Sequence, residues 1–179
     1  MNVVIYCSSK ENISQEYKTT AASIGQWIGS HNATLVYGGI DLGLMKIAAT
    51  ETRNAGGRAI GIVPIDRKAM EYPHNDESIY VADLSERKAR LIELGDVFIV
   101  LPGGYGTLDE WMSTLATLAF TNDTRKTIII VNQDGLFDNT ITQLHTMIDN
   151  NLMHPSCMQR MKIVASANEC CEILQSLIS

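Results

Sequence analysis

The chain has 179 residues, 45% of them hydrophobic and 19% charged, with 14 Lys and Arg against 20 Asp and Glu. A chain of this length hides roughly 70% of its unfolded surface, and this composition excludes disorder. Phosphate neutralisation supplies most of a nucleic-acid binder's affinity, so the net charge of −6 argues against a general DNA or RNA surface.

Asn2 to Cys7 (N-V-V-I-Y-C) reads as a first strand, β-branched and apolar. Ser14 to His31 carries Tyr17, Ala21, Ile24, Trp27 and Ile28 near helical spacing. Ala33 to Tyr37 is a second strand, stopped by Gly38 and Gly39. Gly43 to Ala55 is helical and ends at Gly56 and Gly57. Arg58 to Val63 is a third strand, and the charged stretch from Ile65 to Glu77 is a loop. Ile79 to Ala82 is a short strand, Ser85 to Leu94 a helix, and Asp96 to Leu101 a strongly apolar strand. A glycine loop follows, Pro102 to Gly106, then a helix from Thr107 to Phe120. Thr127 to Asn132 and Lys162 to Ala165 are strands, with helices over Leu136 to Asn150 and Glu169 to Ile178.

Strands that are short continuous apolar runs, alternating with helices, imply parallel pairing and right-handed crossovers. The expected fold is α/β: a three-layer, doubly wound, Rossmann-like parallel sheet of about seven strands with helices on both faces. Residues 1–179 are expected to form one domain. No stretch approaches ~18 consecutive apolar residues, so no membrane span is expected. The N-terminal residues lack a basic region and a small-residue cleavage site, unlike a signal peptide. Cys7, Cys157, Cys170 and Cys171 form no C-x-x-C pair. They read as free thiols in a reducing, cytoplasmic setting.

Ligands of such sheets bind beyond the carboxyl ends of the strands. Three loops there are built from small residues: Cys7-Ser8-Ser9, Gly38-Gly39 and Pro102 to Thr107. Small residues let backbone N–H groups approach an anion, and the following helix points its positive end there. The loops therefore fit a phosphate-bearing ligand. Neither a P-loop nor a G-x-G-x-x-G after the first strand is present, so a mononucleotide fits better than NAD.

Two polar clusters remain open to two readings each. Thr107-Leu108-Asp109-Glu110 has capping-box spacing, with Thr107 as N-cap and Glu110 reaching back. Alternatively, Glu110 stands one turn above an anion site and faces a ribose. Glu86 to Arg90 is either a solvated helix face or brings Arg87 to the same pocket, where Arg suits phosphate and polar substrates. Glu71 and His74 lie in the charged loop beside Pro73, and no metal site is expected. His31, His145 and His154 read as surface residues.

P-G-G-Y-G-T-L-D-E (Pro102 to Glu110) resembles the P-G-G-x-G-T-x-x-E signature of the Lonely Guy (LOG) family. Its members are cytokinin riboside 5′-monophosphate phosphoribohydrolases, long mislabelled as lysine decarboxylases. V-Y-G-G-I-D-L-G-L-M (Val36 to Met45) is similar to the family's V-Y-G-G-G-x-x-G-L-M, and Glu86 to Ala89 to its E-R-K-A. Glu71 with His74 resembles E-x-x-H, and Cys7-Ser8-Ser9 its G-S-S. Ile40, Lys46, Cys7 and Leu84-Ser85 depart from the pattern, which bears on base preference.

The resemblance implies hydrolysis of the N-glycosidic bond of a nucleoside 5′-monophosphate, giving free base and ribose 5-phosphate. It implies Glu110 and Arg87 as catalytic residues. It implies Glu71, Lys88, Gly103, Gly104, Tyr105, Gly106, Thr107, Ser8, Gly38 and Gly39 as substrate-binding positions. No metal or other cofactor is implied, the partner is a small-molecule nucleotide, and a homodimer is expected. The competing reading is a non-catalytic nucleotide-sensing module on the same fold, which needs the phosphate loop but not Glu110 and Arg87 together. A pyridoxal-dependent decarboxylase would need a much larger fold.

Overall fold

A computed structural model describes residues 1–178. Seven strands form one sheet: β1 (Asn2–Tyr6), β2 (Thr34–Tyr37), β3 (Arg58–Pro64), β4 (Glu77–Val81), β5 (Val97–Val100), β6 (Thr127–Val131) and β7 (Met161–Val164). Their order is β4-β3-β2-β1-β5-β6-β7, and every neighbouring pair is parallel. The expected α/β sheet is present, and the order in which strands are added reverses between β1 and β5. The crossover helices are α1 (Gln15–Ser30), α2 (Gly43–Asn54), α3 (Leu84–Leu94), α4 (Tyr105–Thr121), α5 (Asp138–Asp149) and the short α6 (Ser156–Gln159); α7 (Ala167–Ile178) closes the fold.

Alternation along β1 sorts the two faces of the sheet. Val3, Ile5 and Cys7 pack with Ile24 and Ile28 of α1, Leu44 and Ala48 of α2, and Leu174 of α7. Val4 and Tyr6 pack instead with Leu91 of α3, Trp111 and Leu115 of α4, and Leu144 of α5. The three layers follow directly. Among the described residues, no helix is long and apolar enough to cross a membrane. Cys7, Cys157 and Cys170 are buried free thiols, and Cys171 is half-buried. His31, His145 and His154 are exposed.

Helices α1 and α2 touch through glycine. A Cβ on Gly25 would lie 2.5 Å from the Ala48 carbonyl oxygen, and Thr52 Oγ1 donates to the Gly25 carbonyl at 3.1 Å. Backbone cannot yield as a side chain can. Gly25→Ala is therefore expected to destabilise by about 1–2 kcal/mol, the overpacking loss exceeding the gain in helix propensity. A denaturant midpoint equal to wild type would show that the two helices separate freely.

Three local expectations change. The stretch from Ile65 to Glu77 is not all loop: Ile65–Met70 forms a 3-10 helix, and Glu71 makes an antiparallel bridge to Ile40. Strand β4 begins at Glu77, two residues early, because this edge strand pairs only with β3 and carries charge outward, Glu77 meeting Arg58. Helix α4 begins at Tyr105, with Gly104 at its cap and no side-chain cap hydrogen bond.

Candidate active site

A cavity of about 270 Å³ opens where the carboxyl ends of β1 and β5 diverge, the place at which a doubly wound sheet receives ligands. Leu101 N–H donates to the Tyr6 carbonyl, and Ser8 N–H to that of Pro102, at 2.9 and 3.1 Å. These bonds hold the two loops together. Ile5, Cys7 and Gly38 form the floor. One wall is α3, through Leu84, Arg87 and Lys88, and the other is the start of α4.

The first amides of a helix have no intrahelical partner, and no side chain caps α4. Tyr105, Gly106 and Thr107 thus bring unsatisfied donors to the cavity wall. The capping-box reading fails here: with Gly104 at the cap, Glu110 lies beyond the third helical position and cannot close the box. A Cβ on Gly103 would collide with Thr107. A Cβ on Gly104 or Gly106 would meet nothing within 4 Å. Neither has a left-handed backbone, so these glycines answer to no neighbour in the chain. They leave room for something outside it.

Arg87 is not on a solvated face. Its guanidinium lies against Gly38, 4.0 Å from Met45 Sδ, and its buried Nε has no hydrogen-bond partner among the described residues. Nη1 stands 3.9 Å from Glu110 Oε1, with both side chains about 15% exposed. The Glu110 carboxylate accepts no protein hydrogen bond among the described residues. Burial first, and then the charge of Asp109, push it up to about 7, against the pull of Arg87 and Lys88. Lys88 Nζ donates to both Asp109 oxygens at 2.7 and 2.8 Å. The two pairs cross from α3 to α4 side by side. The arrangement offers amide donors and cations to an anion, and a desolvated carboxylate to a centre that gains positive charge.

Ser8, Gly38, Arg87, Lys88, Gly104, Tyr105, Gly106, Thr107 and Glu110 all line the cavity. Glu71, Gly39 and Gly103 do not. Glu71 accepts hydrogen bonds from the Ser78 and Tyr80 hydroxyls. The Ser78 bond is the main cause that holds it below the usual carboxylate range. Gly39, at φ +71°, packs on Val63 and Gly61. Lys10, Met45, Leu84 and Asp109 line the cavity without having been singled out as site residues. For Asp109, its place beside Glu110 on one helix was the available signal.

An all-parallel doubly wound sheet with an uncapped helix start, an arginine and a buried carboxylate around a cavity at its switch point defines a Rossmann-like protein. The family model described as possible lysine decarboxylase matches residues 45–174, and the chain belongs to that family, the LOG family. It is 34% identical to cytokinin riboside 5′-monophosphate phosphoribohydrolase LOG5 of Arabidopsis thaliana, over 98% of this chain and 76% of the relative. The probable phosphoribohydrolase LOGL9 of Oryza sativa subsp. japonica is 32% identical, over 86% of this chain and 68% of its own. Among solved structures, the molybdenum cofactor binding protein of Rippkaea orientalis superposes with a TM-score of 0.76 at 23% identity, covering 99% of this chain and 97% of its own. The carrier protein of Chlamydomonas reinhardtii gives 0.77 at 19%, over 99% and 97%. These two likenesses concern the fold.

Proposed function

We propose that this protein hydrolyses the N-glycosidic bond of a nucleoside 5′-monophosphate, of AMP or cytokinin riboside type, releasing the free base and ribose 5-phosphate. The observation that carries the reading is Glu110: a buried carboxylate with no protein hydrogen bond among the described residues, 3.9 Å from Arg87, on the helix whose free amides begin one turn below. The names of the relatives agree with it.

Glycosidic cleavage passes through an oxocarbenium-like ribosyl centre. The C1′–N bond breaks with its electron pair going to the base. Water adds at C1′, and the proton it loses passes to the nitrogen of the departing base, so that neutral base and ribose 5-phosphate result. Ionised Glu110 stabilises the cation and orients that water. Arg87 positions the substrate and assists the leaving base. Gly104, Tyr105, Gly106 and Thr107 hold the phosphate through backbone N–H groups, with Lys88 and Ser8 beside them. The same reading carries a homodimer and a cytoplasmic setting. The exposed Phe120 on α4 and the free thiols support these.

Product analysis tests the reaction. AMP, isopentenyladenosine monophosphate, GMP, CMP and UMP are each incubated with the protein, and base and ribose 5-phosphate are separated by chromatography. Release of both, ranked by base, is expected. Binding without release would leave the sensing module.

Gly106 gives a second check. Alanine there meets open space and raises helix propensity, so Gly106→Ala is expected to stabilise the fold by about 0.5–1 kcal/mol. The added methyl takes the room beside the amides, so KM for AMP is expected to rise about tenfold. Stabilisation with unchanged KM would remove the α4 start from the phosphate site.

A further inference from the structure

Glu110 poses a problem of aim. With no hydrogen bond to its carboxylate among the described residues, its side chain is set by the cavity walls and by its own backbone. The polar side-chain tie that does reach Glu110 ends on its main-chain oxygen, to which the Thr114 hydroxyl donates at 2.8 Å. The Tyr6 hydroxyl lies 2.8 Å from the same Thr114 Oγ1. A hydroxyl has one proton, and that of Thr114 is committed to the Glu110 carbonyl. Tyr6 is therefore the donor, and the chain runs Tyr6 to Thr114 to Glu110.

Both hydroxyls are buried, Tyr6 at 2% and Thr114 at 0% exposure. Tyr6 ends β1, the central strand, and its ring stacks on Phe98 of β5. Thr117 and Thr121 also bond back to carbonyls of α4, but no strand residue meets their hydroxyls. Threonine bonds of this kind bend a helix locally. Here the hydroxyl that makes this bond is also tied to the sheet, at the turn that carries the carboxylate.

We infer that Tyr6 and Thr114 are positioning residues whose buried hydroxyl chain fixes the backbone of Glu110 and so aims its carboxylate across the cavity. This rests on the hydrolysis proposed above. The charges facing Glu110 are Arg87 and Lys88 from α3 and Asp109 from its own helix. Tyr6 at the end of β1 and Cys7 just after it face it as neutral groups, both kept protonated by burial.

The test compares Tyr6→Phe, Thr114→Val, the double variant and Thr114→Ser. Base release from AMP is measured, and the Glu110 carboxyl is titrated by carbon-13 NMR. Tyr6→Phe and Thr114→Val are each expected to lower kcat about tenfold with KM unchanged, as small misplacements of a catalytic group do. The Glu110 titration is expected to move down, toward the ordinary value, as the carboxylate loosens toward water. Thr114→Ser is expected to keep wild-type behaviour.

The double variant separates positioning from mere stability. Thr114→Val strands the Tyr6 hydroxyl, whereas the double removes both partners and strands neither. A structural role predicts recovery in the double; positioning predicts that it stays as slow as the singles. Recovery, or full kcat in Tyr6→Phe, overturns the inference. If wild type releases no base, the proposed reaction fails and the NMR titration decides alone: a downward move supports the hydroxyl chain, and no move overturns it.

Discussion

Replacing Glu110 by Gln is expected to cut kcat for base release by ~10²–10⁴-fold and, above pH 7, to make the protein more stable. The two effects share one cause. Burial raises the Glu110 carboxyl from its ordinary 4.5 to about 7. The folded protein therefore holds this proton more tightly than the unfolded chain. Stability linked to the group is fully present below about pH 4.5 and is lost as pH rises through about 7. The separation of the two values, at about 1.4 kcal/mol per pH unit, bounds the loss at about 3 kcal/mol. Gln keeps the shape and never ionises. The variant's advantage is thus expected to be small at pH 4.5 and to reach about 1–3 kcal/mol at pH 8, read from denaturant midpoints. In parallel, wild-type kcat/KM is expected to rise about tenfold per pH unit below 7 and then level. Equal midpoints at pH 8 would mean that the carboxylate already has its partners. An active Gln variant would remove it from the chemistry.

The same residues show how far the sequence could be read. Apolar runs such as Val97 to Val100 and Ile128 to Val131 are buried on both faces inside the sheet, so their composition announces them. Strand β4 lies at the edge, where only one neighbour and one face constrain it, and its first residues look like loop. Helix α6 is a single turn around one buried residue, Cys157, too short to leave a period. In the site, glycine loops and the charge run of α3 were visible as types. Their partners were not. Lys88 with Asp109, and Arg87 with Glu110, meet across two helices 21 and 23 positions apart in the chain, and no local pattern encodes such a crossing. The capping-box spacing at Thr107 misled because α4 starts two residues earlier, on glycines that leave its amides free.

Gly38 is where that hidden geometry is most exposed to test. It follows β2 on the cavity floor without a left-handed backbone, so alanine strains nothing by conformation. Yet a Cβ there would overlap the Arg87 guanidinium and stand 2.9 Å from Met45 Sδ. Arg87 is the softer neighbour, since its contacts are one thioether at 4.0 Å and one carboxylate at 3.9 Å. Gly38→Ala is therefore expected to leave the fold intact, push the guanidinium off its seat, and lower kcat/KM about a hundredfold, as a displacement near 1 Å does in preorganised sites. If the loss runs through Arg87, adding Gly38→Ala to Arg87→Ala changes little, because the seat is already empty. Additive losses would assign Gly38 a contact of its own with the nucleotide. Full activity in Gly38→Ala would show that the guanidinium works equally well from elsewhere, and the reading of Arg87 as a preorganised positioning group would fall.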